Sequence, residues 1–541
     1  MQRWSVAAVG LLALTVAMRL SPPPVPLYNN LGNYRRTVQT PSVEAQKYFD
    51  QGLRLIYAFN HAEAIRAFTE AARLSQNDCL MCEWGIAYAY GPHVNAGMDS
   101  AAGVAAYTHI QRALKKVHGA APIEIELVNA LAERYAAVPP ANRAKLDTNY
   151  ARAMGSIARR YPKDLDVQTL YAEALMDLRP WNYWDRSDNS PYPGTSMIVS
   201  TLEKVLEADS LHPGACHYYI HAVEAVMPKK ALECTERLAA LMPGAGHIVH
   251  MPAHIYIRLG RYADAILANQ HAVHQDEVFI EGQKPQGVYP VGYYPHNYHF
   301  LALAATMAGQ SKLAIESANK TAATTPVEVA QAVPFVEPYI QYPFLTLVTF
   351  GRWDDILARP LPPLSLSYSR GMVHYARGIA FAAKGDFRAA RAALDTLQMF
   401  ARGGVTAYAS AGWTTPSTNF SIAVHALMGE IAAREGKLDD AITHFQAAQK
   451  IEDEQLYTEP PDWYYPIRHS LGAVLLKAGK PAEAEKLYRE DLERFPENGW
   501  SLFGLAQALH AQNKHEEAAA VDARFQTAWA TADVKLTASR F

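Results

Sequence analysis

The chain has 541 residues, of which 50% are hydrophobic and 19% are charged, and this balance excludes an intrinsically disordered protein. The length exceeds what one ordinary core fills, which favours several domains or a repeat array that grows along one axis. The formal net charge is −3 without any block of basic residues, so we expect no nucleic-acid partner, because such binding usually needs a clustered basic face.

Residues 1–20 predict an export signal peptide or an N-terminal membrane anchor. Arg3 supplies a positive start, and an apolar run extends from Val6 to Met18 before three consecutive prolines. A run of about thirteen apolar residues has the length of a signal-peptide core and is shorter than the roughly 20 residues that span a bilayer. Both interpretations predict a periplasmic or secreted protein that contacts a membrane only through such an anchor.

A repeated pattern of small and large residues begins near Gly52. A Gly precedes a marked Ala by twelve residues, and a large side chain follows four residues after that Ala. The full copies are Gly52/Ala64/Phe68, Gly429/Ala441/Phe445 and Gly472/Ala484/Tyr488, and partial copies are Gly260/Ala265, Gly309/Ala314 and Gly385/Ala390. The pattern resembles the tetratricopeptide consensus, a helix–turn–helix of about 34 residues. The resemblance implies an all-α, superhelical solenoid of about ten helical pairs.

This pattern has a physical reason in helix packing. Small residues let the two antiparallel helices of a repeat approach closely, and the large residue fills the gap between successive repeats. A Gly in the turn after the first helix, helix A, tolerates a positive φ.

Two of the four cysteines, Cys79 and Cys82, form a CxxC pair at positions two and five of their helix A. In tetratricopeptide arrays these positions usually touch ligand, so the resemblance makes both cysteines candidate ligand-binding residues. In an exported protein, a disulfide or a reduced structural pair is favoured over a metal site. Glu83 follows Cys82 where a c-type haem attachment motif has His, so that motif is absent.

Two long insertions, 179–194 and 275–295, interrupt the repeats with Pro, Asn, Asp and aromatic residues. Long loops in a compact array are more often functional than not, so we expect them to cover the ligand-binding surface. Their candidate ligand-binding residues are Trp181, Trp184, Tyr293 and Tyr294. Most of the irregularity lies before Pro363, which predicts an irregular array over 41–363 and a regular one over 364–541.

Seven histidines share helix-A positions two, five or nine. They are His217, His221, His247, His250, His254, His296 and His299. Five are placed by counting the marked Ala of their repeat as position twenty, and His217 and His221 are placed because they lie 33 residues before His250 and His254. Residues three or four apart lie on one face of a helix. By the tetratricopeptide resemblance, these positions line the concave groove, so the seven imidazoles are expected to face one hollow from three successive helices.

This constellation predicts a transition-metal site. Adjacent helix axes lie about 8–10 Å apart, a span that two imidazoles can bridge through a shared ion. Neutral imidazole suits zinc, copper, iron or nickel, so the seven histidines are candidate metal ligands. Glu224 lies on the face of His221 and is a further ligand or an orienting group. His469 occupies position five of a later repeat without a neighbouring histidine, and we expect it to line the groove.

Longer motifs resemble a bacterial family of exported tetratricopeptide proteins. They cover most of the chain after the export segment and read CLMCEWG (79–85), HPGACHYYIHAVE (212–224), GHIVHMPAH (246–254), YPHNYH (294–299) and EPPDWYYP (459–466). The resemblance supports the fold and export and transfers no activity.

Two functions follow as hypotheses. In the first, the solenoid is a binding or scaffolding module whose groove takes a peptide, a partner protein or a small molecule, with a bound copper, zinc or iron ion shaping the site. In the second, the histidine cluster is the active site of a metal-dependent oxidative or hydrolytic enzyme. A groove that binds an anionic or aromatic ligand through imidazoles without metal is the main alternative to a metal site.

Overall fold

The computed structural model describes residues 25–283, 287–403 and 416–541. These residues form twenty-six α-helices and no β-strand, and their only bridges are His93–Ala96 and Trp184–Pro191. The predicted all-α solenoid is therefore confirmed. The predicted signal or anchor at 1–20 lies outside the described residues, and no helix within them has the length and apolar character to span a bilayer.

The first half of the array contains thirteen helices. They are α1 Val43–Tyr57, α2 His61–Leu74, α3 Leu80–Ala89, α4 Ser100–Leu114, α5 Pro122–Ala132, α6 Ala144–Arg160, α7 Leu165–Met176, α8 Thr195–Ala208, α9 Pro213–Val223, α10 Leu232–Leu241, α11 Gly246–His250, α12 Pro252–Arg258 and α13 Tyr262–Gln283.

The second half contains thirteen more. They are α14 Tyr294–Met307, α15 Ser311–Ala323, α16 Val327–Ala332, α17 Pro338–Thr349, α18 Trp353–Ala358, α19 Ser367–Ala383, α20 Phe387–Arg402, α21 Pro416–Arg434, α22 Leu438–Asp453, α23 Ile467–Lys477, α24 Pro481–Arg494, α25 Gly499–Ala511 and α26 His515–Ala528. One π-helical turn, Tyr289–Tyr293, leads directly into α14.

The repeat pattern packs as its residue sizes predict. Phe68 of α2 lies between Gly52 of its own repeat and Gly85 of the next, where an added Cβ would come within 2.6 and 2.7 Å of its ring. Tyr488 lies in the same way between Gly472 and Gly504. Glycine is required at these positions because the large side chain fills the space that any Cβ would occupy.

The turns after helix A also follow the prediction. Gly260, Gly309, Gly385, Gly436 and Gly479 all adopt positive φ, between 70° and 81°. An L-residue with a Cβ is strained in this region, whereas glycine enters it freely. These glycines let the chain reverse sharply between the two helices of a repeat.

One predicted helix A is divided in two. Residues 247–254 were expected on a continuous helix, but α11 ends at His250 and α12 begins at Pro252. Pro252 has no N–H to donate to an earlier carbonyl, which interrupts the helical hydrogen bonds at this point.

The array turns back on itself, so that its last helices contact its middle. The Trp500 indole donates to the carbonyl of Thr306 at 2.9 Å, and Arg258 donates to the carbonyl of Arg494 at 2.8 Å. Asp533 accepts from two backbone N–H groups at the start of α15. The middle helices are therefore covered by neighbouring repeats and also by the end of the chain.

Candidate metal centre

Six of the seven candidate histidines converge in the interior of the array, where they lie on α9, α11, α12 and α14. Glu224, at the C-terminal end of α9, lies among them. His217, His247 and His250 are fully buried, His221 and His254 are at most 4% exposed, and His296 is partly exposed. The six imidazoles converge on one hollow, as expected, but this hollow is buried within the array. Neighbouring aromatic rings pack against the imidazoles, so the cluster is an enclosed centre.

The first group consists of His217, His221 and His247, whose ligand atoms lie within 4.8 Å of one another. His217 Nδ1 lies 2.6 Å from the carbonyl oxygen of Tyr57, which can only accept, so Nδ1 carries the proton. His221 Nδ1 likewise donates to Glu224 at 3.1 Å. Nε2 of both residues and both ring nitrogens of His247 have no hydrogen-bond partner among the described residues. Unpartnered imidazole nitrogens therefore face a common point.

The second group consists of His250, His254 and His296, whose ligand atoms also lie within 4.8 Å of one another. The Asn269 side chain donates to the carbonyl of Ala265 at 2.8 Å, which turns its oxygen towards His250 Nδ1 at 2.7 Å. His254 Nδ1 donates to Glu224 Oε2 at 2.5 Å. Both Nδ1 atoms are thus donors, which leaves lone pairs on His250 Nε2 and His254 Nε2, only 2.9 Å apart. Two facing lone pairs at this distance repel each other unless a proton or a metal ion lies between them.

Glu224 connects the two groups. Its Oε1 accepts from His221 and its Oε2 accepts from His254, and its side chain is fully buried. Burial alone would raise the pKa of this carboxyl, but His254 and His221 outweigh that effect and hold its pKa at about 2. The carboxylate is therefore ionised and fixes the ring orientation of one histidine in each group.

Five of the six imidazoles are held in their neutral form. Burial lowers the pKa of His217, His247, His250 and His296 well below the ordinary value, and the neighbouring histidines lower it further. Burial also lowers the pKa of His221, against the opposing effect of Glu224. Neutral imidazole is the form that binds a metal ion, so no proton has to be displaced at neutral pH.

Aromatic rings enclose the centre. The Phe59 ring centroid lies 4.4 Å from that of His217 and 5.5 Å from that of His247. Trp181 lies edge-on to His221 at 5.2 Å, and the Tyr293 ring is 4.6 Å from His247. Of the four loop residues expected to cover the site, Trp181 and Tyr293 therefore contact it.

The other two predicted loop residues lie elsewhere. Trp184 donates from its indole to the backbone carbonyl of Ala222 at 2.8 Å, which anchors the loop to α9. Tyr294 donates to Glu277 at 3.1 Å on an exposed side of α14. These two residues position the loop and the helix, and neither ring lies against the six histidines.

Two further histidines are not brought into the centre. His299 packs against Tyr342, with ring centroids 4.0 Å apart, because it lies a turn further along α14 than His296. His469 Nε2 pairs with Asp491 at 3.1 Å in the C-terminal repeats. The groove beside His469 is filled by the chain's own end, since Ser539 donates to the carbonyl of His469 at 2.7 Å.

Cys79 and Cys82 form a disulfide at the start of α3, and both are buried. This confirms the disulfide alternative. It also means that neither sulfur is free to bind a ligand, so the expectation of a ligand-binding pair is corrected.

Sequence reasoning missed several residues that shape the centre. His93 stacks on Phe59 with ring centroids 4.5 Å apart, and His61 lies 4.4 Å from His93. Both lie outside the helix-A positions that define the histidine pattern. Asn269 was detectable, because it is a polar residue between Ala265 and Ala272 on the mostly apolar buried face of α13, which also carries Asp276. A polar residue in such a stripe signals a buried partner.

The fold and its packing define a helical-repeat solenoid. Residues 470–533 and 371–396 match models of the tetratricopeptide repeat. These two segments are therefore similar to tetratricopeptide repeats, and they lie within an all-α solenoid. No curated protein matches its sequence significantly.

Similar solved structures include a human IFIT1 dimer with m7Gppp-AAAA, at 13% identity over 91% of each chain and a TM-score of 0.33. A monomeric IFIT1 mutant with Gppp-AAAA is similar at 13% identity over 91% of each chain and a TM-score of 0.35.

Proposed function

We propose that this chain is a metal-binding tetratricopeptide-repeat protein whose enclosed centre takes two transition-metal ions, one in each histidine group. The observation that carries the proposal is the contact between His250 Nε2 and His254 Nε2 at 2.9 Å, with both Nδ1 atoms already donating. A cation bound by both lone pairs turns a repulsive contact into two coordinate bonds.

The spacing supports coordination. Ligand–metal distances of about 2.0–2.1 Å place two nitrogens of a tetrahedral site about 3.3 Å apart, and smaller bond angles bring them closer. The 2.9 Å separation of His250 and His254 falls at the short end of that range. In the first group, the three ligand atoms lie within 4.8 Å of one another.

The surroundings of the ligands also support it. Histidine ligands usually donate their second N–H to a carboxylate or a carbonyl, which fixes the tautomer and raises basicity. His217 uses the Tyr57 carbonyl, His250 uses Asn269, and His221 and His254 share Glu224. A buried histidine without a ligand role needs no such uniform arrangement.

The ligand chemistry favours zinc, copper or iron. Both groups present imidazoles without a thiolate, and imidazole suits these metals. Three protein ligands also leave one position free in a four-coordinate site, which a water molecule or a small ligand would fill.

The second candidate function is metal-dependent catalysis, and Glu459 favours it. Its buried carboxyl accepts from Tyr457 at 2.7 Å, while its other oxygen has no partner among the described residues. Burial raises the pKa of Glu459 to about 7, which suits a group that exchanges protons at neutral pH. Trp181 contacts both Tyr457 and His221, with ring centroids 6.3 and 5.2 Å away, and the charge of Glu224 contributes to the raised pKa of Glu459, so this carboxyl lies in the surroundings of the histidine groups.

Export is part of the proposal. The Cys79–Cys82 disulfide supports it, because structural disulfides persist in oxidising compartments and are rare in the cytosol. This agrees with the export segment expected at residues 1–20.

Elemental analysis of protein purified without an affinity His-tag tests the proposal. We expect about two ions per chain in the unmodified protein, as the two histidine groups predict, and the loss of one in a His250→Ala/His254→Ala variant. A His217→Ala/His221→Ala variant is expected to lose the other ion. His299→Ala is the matched control, since it removes an imidazole from the same helix as His296 without touching either group.

Circular dichroism and size-exclusion chromatography establish that each variant is folded before its metal content is compared. Full metal retention in both double variants would overturn the proposal, and so would an equal loss in His299→Ala. If the ions are present, oxygen-consumption and hydrolytic assays of Glu459→Gln against the unmodified protein distinguish an enzyme from a metal-binding module.

A further inference from the structure

Two buried cysteines outside the CxxC pair lie in unusually close contact. Cys216 of α9 and Cys234 of α10 have their sulfur atoms 2.7 Å apart, and both side chains are buried. Non-bonded heavy atoms stay about 3.5–4 Å apart, whereas bonded sulfurs are about 2.0 Å apart. The backbones of α9 and α10 thus already hold the two sulfurs closer than independent thiols would settle.

We propose that Cys216 and Cys234 form a second disulfide, which ties the histidine-bearing helix α9 to α10. The alternative, a thiol that donates to a thiolate, is disfavoured. That arrangement requires an ionised sulfur between two buried side chains, and burying a charge costs free energy. Neither sulfur belongs to a group of metal-ligating atoms in the part of the chain that the structure describes.

The chemistry is a two-electron oxidation by thiol–disulfide exchange. One protein thiolate attacks a low-molecular-weight disulfide and releases one thiol, and the second protein thiolate then attacks the mixed disulfide and releases the other. The protein loses two electrons and two protons, and the small disulfide becomes two thiols. Because both sulfurs are buried in the folded chain, the exchange takes place during folding, in the compartment that also oxidises Cys79 and Cys82.

The position of this cross-link gives it a role. Cys216 directly precedes His217, so a covalent bond from Cys216 fixes the backbone of α9 one residue from a proposed ligand. This role rests on the proposed metal site, whereas the disulfide itself does not. A chain that binds no metal would still carry the cross-link.

Peptide mapping tests the bond directly. The chain, folded under oxidising conditions, is denatured without reductant, alkylated and digested with trypsin. We expect peptide 205–229 linked to peptide 231–237 and no alkylated cysteine. Peptide 74–112 contains both Cys79 and Cys82 and is the internal control, since its own disulfide shows that oxidation took place. Alkylation of Cys216 and Cys234 in a sample whose control disulfide is intact would overturn the proposal.

A thermal double-mutant cycle provides the second measurement. Cys216→Ala, Cys234→Ala and the double variant are expected to lower Tm by similar amounts, because either substitution already removes the bond. Losses that add up in the double variant would indicate two independently packed thiols and contradict the cross-link. Reductant is expected to lower the Tm of the unmodified protein more than that of the double variant, which retains only Cys79–Cys82.

Discussion

Two regions of this molecule place a histidine at the same repeat position and give it different surroundings. His250 and His469 both occupy position five of helix A, and both are buried. His469 Nε2 lies 3.1 Å from Asp491, whose carboxylate also accepts from Ser501 at 2.7 Å. His250 Nε2 faces only another acceptor, His254 Nε2.

The comparison shows that burial and register alone do not identify a metal ligand. His469 has a carboxylate partner and needs no ion, whereas the histidines of the centre present lone pairs that the described protein groups leave unsatisfied. A candidate metal ligand is recognised by a ring nitrogen that has no hydrogen-bond donor opposite its lone pair. Four predictions use this difference between the paired histidine and the clustered histidines.

The largest expected effect is a loss of stability of the metal-free protein below pH 6.5. Five clustered histidines have a lowered pKa in the folded state, so the unfolded chain takes up more protons as the pH falls, and the folded state is destabilised. Each histidine changes the free energy of unfolding by at most about 1.4 kcal/mol per pH unit, so the five together change it by at most about 7 kcal/mol per pH unit.

Urea unfolding of chelator-treated protein between pH 7.5 and 5.5 measures how the free energy of unfolding changes with pH. This range brackets the ordinary histidine pKa of about 6.5. His247→Asn is expected to reduce the slope by about one histidine's share. A free energy of unfolding that stays constant over this range would mean that the cluster is not buried as a neutral group.

The next effect concerns the paired region. Asp491→Ala leaves the buried His469, Ser501 and Asn498 without their shared acceptor, and we expect a loss of about 3–5 kcal/mol in the free energy of unfolding. The metal content is expected to stay unchanged. Glu490→Ala, at a more exposed neighbouring carboxylate, is the control. Loss of bound metal in a folded Asp491→Ala variant would contradict the distinction between a histidine paired with a carboxylate and the clustered histidines that hold metal.

A smaller effect is expected from Glu224→Gln. The substitution removes the negative charge and turns an NH2 group towards an imidazole N–H, so one of the two histidines loses its orientation. We expect metal affinity to fall by about 10–100-fold, as for other groups that orient ligands. Competition with a chromophoric chelator measures it.

Glu203→Gln is the matched control, because Glu203 of α8 accepts from Tyr219 and Lys230 at a partly exposed position. An equal change in affinity in both variants would show that Glu224 acts only through general charge.

The smallest effect is expected at a second pair of histidines. His425 Nδ1 and His444 Nδ1 lie 3.4 Å apart on partly exposed helix faces, where water can satisfy both rings. His425→Ala is expected to change the free energy of unfolding by at most about 0.5 kcal/mol and to leave metal content unchanged. A lost ion in this variant would mean that two adjacent histidines suffice for binding without the enclosed arrangement.

Much of the fold could be predicted from local residue sizes. Phe68 and its two flanking glycines, and the positive φ at turn glycines such as Gly260, follow from packing rules that act within one or two repeats. The division of one helix A at Pro252 was also a local effect and could have been predicted from the missing N–H.

The candidate centre could be predicted only in part. Helix periodicity placed His217, His221, His247, His250, His254 and His296 on facing surfaces, and the structure brings these six together. It could not place Phe59 against them, because that contact joins residues more than 150 positions apart. The enclosure of the hollow could not be predicted for the same reason.

The sequence by itself determined the helical repeats, their turns and the faces on which the histidines lie, because these depend on spacings of three or four residues along one helix. The tertiary structure alone decided which imidazole nitrogens have partners and which remain unpaired. It also closed the centre against water and brought Cys216 to Cys234. Those outcomes depend on atoms from distant helices meeting within about 3 Å, a precision that residue spacing does not carry.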